Sequence, residues 1–216
     1  MSTNNIDKVT QAPPSGAGGA SVAIIDYGAG NVQSVLFALE RIGFTGKVTS
    51  DPEEIKKADK VIFPGVGEAS SAMKMLEEKD LVKVILQLKQ PVLGICLGMQ
   101  LLCSASEEGK TEGIGVFDLK IKRFSNQVKV PQMGWNTIYN LKSPLFEGIT
   151  ENEHMYLVHS YYAPLNEYSI ATTNYGVEYT TALQKDNFYG VQFHPEKSGK
   201  IGEQILSNFL NLTSEI

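Results

Sequence analysis

Long apolar runs, excess positive charge and cysteine are all scarce in this sequence, and each scarcity excludes something. No apolar stretch approaches the roughly 20 residues that span a bilayer, so no membrane partner is expected. Lys and Arg number 19 against 24 Asp and Glu, a formal net charge of −5. That balance is no electrostatic footprint for nucleic acid. The first residues lack the charged and apolar regions of a secretory signal, which reads as a cytoplasmic protein. Only two cysteines are present, Cys96 and Cys103. If both lie near one helix, a rise of about 1.5 Å per residue separates them by roughly 10 Å. A disulfide needs Cα atoms within about 7 Å, so no internal bridge is expected, in keeping with a reducing compartment.

What remains is an ordinary globular composition, with 42% hydrophobic residues in 216. That is enough for one sizeable α/β domain with a real core. Residues 1–20, with Gln11-Ala12-Pro13-Pro14-Ser15-Gly16, hold few large apolar groups and read as a flexible N-terminal tail. A single domain is expected over 21–216. Ser21 to Asp26 is a short apolar run typical of a strand buried on both faces. Val32, Val35, Leu36, Leu39 and Ile42 then fall at helical spacing, with Asn31 as N-cap and Gly43 as stop. Val61 to Phe63 predicts a strand, 68–78 and 80–90 two helices, and Pro91 the end of the second. This alternation predicts a mostly parallel central sheet flanked by helices. Between about 115 and 193 the pattern becomes more β-rich, with strands expected at Phe117 to Lys122, Met155 to Tyr162, Tyr168 to Thr172 and Tyr189 to Phe193. A last helix is expected over about 199–212, with Ile201, Ile205, Phe209 and Leu212 on one stripe.

The chemistry concentrates at Pro91-Val92-Leu93-Gly94-Ile95-Cys96-Leu97-Gly98-Met99-Gln100. A short apolar run ending in Gly-x-Cys-x-Gly before a helical segment is the pattern of a nucleophile elbow. The turn is tight, so a Cβ at 94 or 98 would collide where strand and helix pass. The N-terminus of the following helix favours a thiolate and, later, an oxyanion. Cys103, within Leu101-Leu102-Cys103, reads instead as core.

A cysteine nucleophile needs a base and a group that orients it. Of the three histidines, His194 lies in Gln192-Phe193-His194-Pro195-Glu196, just past an expected strand end, with Glu196 placed to accept its N–H. His154 and His159 flank the strand Met155 to Val158, and His159-Ser160-Tyr161 is either a ligand-contacting edge or a strand that surfaces. Pro64-Gly65-Val66-Gly67 follows a strand and exposes backbone N–H groups to a substrate. Gly28-x-Gly30 is no dinucleotide fingerprint, because position 33 is Gln.

These paired motifs resemble the class I (triad) glutamine amidotransferases, over about residues 21–213. Within that class the chain is similar to the glutaminase subunits of imidazole glycerol phosphate synthases of histidine biosynthesis. The similarity rests on Asp26 to Asn31, Pro64 to Gly67, Pro131-Gln132-Met133-Gly134-Trp135-Asn136 and His159 to Tyr162. The resemblance implies that Cys96 attacks glutamine and forms a γ-glutamyl thioester, with His194 as base and Glu196 as its orienter. It implies an oxyanion site at the amides of Val66 and Leu97, and a glutamine site lined by Gly67, Gln100, His159, Ser160 and Tyr161. It also implies no metal and no cofactor, and ammonia channelled to a (β/α)8-barrel cyclase subunit in a heterodimer, with Trp135 on the partner-facing surface, whereas the sequence by itself favours core packing for this single tryptophan. Three other readings stay open: a paralogous glutaminase feeding a sugar-modifying synthase, a catalytically silent regulatory subunit on the same fold, and a free-standing cysteine hydrolase.

Overall fold

The computed structural model describes residues 20–213. The tail expected over 1–20 falls outside that range except for Ala20. The N-terminal half alternates as its periodicity predicts: β1 (Val22–Ile25), α1 (Val32–Arg41), β2 (Gly46–Thr49), α2 (Pro52–Lys57), β3 (Lys60–Gly65), α3 (Ala69–Glu78), α4 (Leu81–Gln87), β4 (Val92–Cys96) and α5 (Leu97–Leu101). Asn31 caps α1 by accepting from the Ser34 amide at 3.2 Å, which satisfies one of the otherwise orphaned N–H groups of the first turn. The second half is β-rich: β5 (Cys103–Ser106), β6 (Thr111–Glu112), β7 (Phe117–Arg123), β8 (Gln132–Ile138), β9 (Glu153–His159), β10 (Tyr161–Tyr162), β11 (Ser169–Asn174), β12 (Glu178–Lys185) and β13 (Phe188–Val191). The terminal helix α6 (Gly199–Asn211) closes the fold.

Seven strands form the central sheet in the order β11-β12-β13-β4-β3-β1-β2. From β13 to β2 the pairing is parallel, and the β11-β12-β13 edge is antiparallel. Its two faces bury separate cores. Ala23, Ile25, Val61 and Phe63 pack on one side with Leu76, Leu81 and Ile85. Val22, Ile24, Ile62, Leu93 and Ile95 pack on the other with Leu39, Ile205 and Phe209. Both faces of these strands are covered, so the strands read as unbroken apolar runs. A four-stranded sheet, β10-β7-β5-β6, and the two-stranded ribbon β8-β9 complete the described residues.

Four expectations are corrected. The strand expected over 155–162 is two strands, because Ser160 breaks the ladder between His159 and Tyr161. The strand expected to reach Phe193 stops at Val191, where Pro195 two residues past Phe193 forces a turn. The helix expected over 80–90 ends at Gln87, short of Pro91. Finally, α5 is a helix of only five residues, so Cys103 opens β5 rather than lying on the elbow helix.

Candidate active site

Parallel register brings the chemistry to one place, outside the carboxyl ends of β3, β4 and β13. Gly65 pairs with Cys96, and Val191 pairs with Ile95. The loop after β3 therefore starts beside Cys96, and the chain leaving β13 starts on its other side. Cys96 ends β4 with φ 55 and ψ −110, a region that costs a non-glycine residue about 1–3 kcal/mol and persists only where neighbours impose it. Here they do. A Cβ on Gly98 would lie 1.9 Å from the Phe63 carbonyl oxygen, and one on Gly94 would lie 2.9 Å from the Met99 amide nitrogen. Strand and helix can approach this closely only because both residues are glycine. The strained turn lifts Sγ out of the sheet.

A cavity of about 290 Å³ opens over Cys96. Its walls include Val66, Gly67, Leu97, Gln100, His159, Ser160, Tyr161 and His194. Thus every residue expected in the catalytic or glutamine-binding set lines this cavity, apart from Glu196, which stands behind His194. His154 sits exposed at the far end of β9 and takes no part.

His194 and Glu196 are both almost wholly buried, with Nδ1 2.8 Å from Glu196 Oε1. A carboxylate oxygen accepts, so Nδ1 carries the proton and Nε2 is left with its lone pair. Nε2 makes no well-formed hydrogen bond among the described residues, and the ring interacts with the Cys96 side chain, which leaves Nε2 able to take a proton from the cavity. Burial disfavours the imidazolium. Interactions of the ring with the Cys96 and Glu196 side chains, hydrogen bonding ahead of charge, outweigh that penalty and raise His194 above the ordinary imidazole range. The turn is anchored: the His194 amide donates to the Tyr156 carbonyl at 2.9 Å, and Ser198 Oγ donates to the His194 carbonyl at 2.7 Å.

His159 behaves oppositely. Burial pushes it down to about 4, against the Tyr161 hydrogen bond that favours its protonation. Nδ1 lies 2.7 Å from the Tyr161 carbonyl oxygen and Nε2 3.0 Å from Tyr179 Oη. It is a neutral wall residue. The Cys103 thiol is raised by burial and directed at the Met99 carbonyl; it is core, as its apolar neighbours imply.

Three residues of the site carried no readable sequence signal. Glu108, raised by burial, is the one carboxylate among the cavity's lining residues, and its Oε2 accepts from the Ala69 amide at 3.0 Å. Lys197 stands at the rim. Gln192 lies beneath Cys96, with Nε2 3.7 Å from Sγ. Glu108 was reachable only through the register of distant elements; Gln192 and Lys197 flank the His194-x-Glu196 pair, but nothing local marks the direction of their side chains. Trp135 is outside the cavity, and its place on the surface corrects the core packing that the sequence by itself favours. It is 57% exposed on β8 beside Met133, which is 65% exposed, and stacks edge-on with Tyr156 at 6.0 Å. Among the described residues no group of three or more His, Cys, Asp and Glu is placed to hold a metal ion. No helix of the described residues is long and apolar enough to cross a membrane.

An elbow cysteine, a carboxylate-oriented histidine and a pocket between them on this sheet define a class. The model of the family Glutamine amidotransferase class-I matches residues 23–212, and the chain belongs to that family. Solved structures agree on the fold. It superposes with a TM-score of 0.69 on a Thermoplasma acidophilum protein assigned to GMP synthase, at 19% identity, covering 90% of this chain and 94% of that one. PurLQS from Thermotoga maritima gives 0.68 at 15% identity, covering 89% and 98%. Curated relatives are more specific. The chain is 56% identical over 194 residues to imidazole glycerol phosphate synthase subunit HisH of Bacteroides fragilis, covering 88% of this chain and 99% of the relative. It is 50% identical over 192 residues to the subunit HisH of Haemophilus influenzae, covering 88% and 96%.

Proposed function

We propose that this chain is the glutaminase subunit of an imidazole glycerol phosphate synthase, and that Cys96, His194 and Glu196 are its catalytic triad. The observation that carries the triad is the buried His194–Glu196 pair, whose Nε2 is without a well-formed hydrogen bond in the same cavity that Cys96 enters. Family membership and HisH relatives at 45–56% identity support the glutaminase reading.

The chemistry follows from the geometry. His194 Nε2 takes the Cys96 proton, and Glu196 stabilises the imidazolium. The thiolate attacks the side-chain carbonyl of glutamine. Backbone amides of Leu97 and Val66 receive the oxyanion. His194 then gives its proton to the departing nitrogen, ammonia leaves, and a γ-glutamyl thioester remains. Water, activated by the same imidazole, releases glutamate and restores the thiol. Glu108 is placed to receive the α-ammonium of glutamine, and Gly67, Gln100, His159, Ser160 and Tyr161 shape the remaining walls. No step draws on a metal or cofactor.

The ammonia acceptor is assigned to a (β/α)8-barrel cyclase subunit, in a cytoplasmic heterodimer. Met133 and Trp135, both large and exposed on β8, form the apolar face that fits such a partner. The loop after β3 suits control by that partner. Val66 is 40% exposed and a Cβ on Gly67 would meet nothing within 4 Å, so the Val66 amide has room to turn toward or away from the oxyanion. The test is glutamate formation with and without the cyclase, in the unsubstituted chain and in Cys96→Ala and Cys103→Ala. Activity that rises with the cyclase and vanishes only in Cys96→Ala supports the reading. Full turnover by Cys96→Ala ends it, and equal rates with and without the cyclase end the gating by Val66.

A further inference from the structure

Behind the nucleophile lies a buried polar chain that the triad does not use. Gln192 is fully buried, one residue past β13, where the Val191–Ile95 register sets it beside Cys96. Its Oε1 lies 2.8 Å from Gln100 Nε2, and its Nε2 lies 3.7 Å from Cys96 Sγ. Gln100 Nε2 also lies 2.9 Å from the Tyr161 carbonyl oxygen.

The orientation of both amides follows from one fixed acceptor. A backbone carbonyl only accepts, so the Gln100 end facing Tyr161 is its NH₂ group. The second proton of that group points at Gln192, which must present its oxygen there. The Gln192 NH₂ group is consequently turned toward Cys96 Sγ. The Tyr161 carbonyl has two lone pairs, and His159 Nδ1 at 2.7 Å occupies the other. Besides His194, two further protein partners of Sγ differ in kind. The Val158 carbonyl oxygen, 3.8 Å away, can receive S–H and has nothing to offer S⁻. The Gln192 N–H has little to offer a thiol and much to offer a thiolate, because hydrogen bonds to a charged acceptor are roughly twice as strong as neutral ones.

We propose that Gln192 is a thiolate-stabilising residue, donating its side-chain N–H to Cys96 Sγ, and that Gln100 and the Tyr161 carbonyl hold it in that orientation. The proposal rests on Cys96 being the nucleophile. Gln100 then serves twice, because its NH₂ group is committed to the protein and only its Oε1 is left for substrate. The titratable groups that face Sγ come from several elements. They are His194 with Glu196 behind it, Tyr27 after β1, His159 at the end of β9, Glu108 across the cavity and Lys197 at the rim. None of these is altered by a substitution at 192.

The test is the pH profile of iodoacetamide alkylation at Cys96, in the full chain bound to its cyclase and read by peptide mass between pH 5 and 9.5. In Gln192→Met the midpoint should move up by about one pH unit, so that alkylation at pH 6 slows about tenfold. The plateau at high pH should stay within about twofold, which a merely misplaced cysteine would not show. Gln100→Met leaves Gln192 in place but unlatches its amide, and a smaller shift in the same direction is expected. It also serves if Gln192→Met does not fold. An unchanged midpoint in the folded variants, with Cys96 still alkylated, overturns the role of Gln192 alone. A Cys96 that resists alkylation in the unsubstituted chain overturns the nucleophile reading, and this proposal with it.

Discussion

Two segments meet in the active site, and they are built on opposite plans. At residues 92–101 the backbone does the work. Glycines at 94 and 98 admit a close strand–helix crossing, and the strained φ of Cys96 aims its sulfur into the cavity. At residues 192–198 the backbone is an ordinary turn stiffened by Pro195, and buried side chains do the work: Gln192 beneath the sulfur, His194 paired with Glu196, and Ser198 tying the turn to itself. The difference teaches where each half is vulnerable. The first fails when a methyl group is added; the second fails when a hydrogen-bonding atom is removed.

The largest effect belongs to the sulfur itself. Cys96→Ala should lower glutamate formation by about ten-thousandfold or more, as loss of a nucleophile does in comparable triads, with little change in the urea unfolding midpoint. A fall of less than tenfold would break the comparison at its first term. Gly98→Ala tests the steric plan. Its Cβ has no room beside the Phe63 carbonyl, so a stability loss of roughly 3 kcal/mol or more is expected by denaturant unfolding. Near-normal stability would show that the crossing is looser than its contacts imply. Glu196→Gln tests the polar plan. It keeps the volume and loses the charge that stabilises the imidazolium, and should slow turnover by up to about ten-thousandfold at unchanged fold.

Legibility in the sequence follows the same division. Steric requirements leave compact signatures, so the elbow, the Asn31 cap and the parallel β1, β3 and β4 were readable from glycine spacing, capping chemistry and apolar runs. The His194-x-Glu196 pair was readable because both partners lie in one turn. Contacts assembled by register across the sheet were not. Gln192 and Gln100 are 92 residues apart, and nothing local marks either as a partner of the other. Glu108 follows the short strand β5, whose Cys103-Ser104-Ala105-Ser106 lacks a β-pattern of its own. The edge strand β2 holds one apolar residue, Val48, and its strand state comes from pairing with β1. Strand β12 is rich in threonine, and its burial is decided by β11 and β13 on either side.

Smaller effects sharpen the contrast between the two buried histidines. His159 is held down at about 4, below its unfolded value near 6.5. The unfolded chain therefore binds the proton first as pH falls, and the native state loses stability from about pH 6.5 down toward 4. Between pH 7 and pH 5 this group should cost about 2 kcal/mol. A His159→Gln chain should lack that part of the acid sensitivity when urea midpoints are compared at the two pH values. His194, raised above 6.5, works with the opposite sign, and its contribution is lost as pH rises through its folded value. Smallest on the chain alone is Trp135→Ala. The exposed ring contributes little to folding, within about 1 kcal/mol, while affinity for the proposed cyclase partner should fall roughly tenfold or more by titration. Unchanged affinity would remove Trp135 from the proposed interface.

The most direct measurement uses an electrophilic glutamine analogue, a chloroketone, titrated into the chain with its proposed cyclase partner while residual glutaminase activity and the labelled peptide are followed together. One label per chain should appear on Cys96, none on Cys103, with activity lost in proportion to labelling. Activity that survives complete labelling of Cys96, or disappears with the label on another residue, would contradict the assignment of Cys96 as the nucleophile.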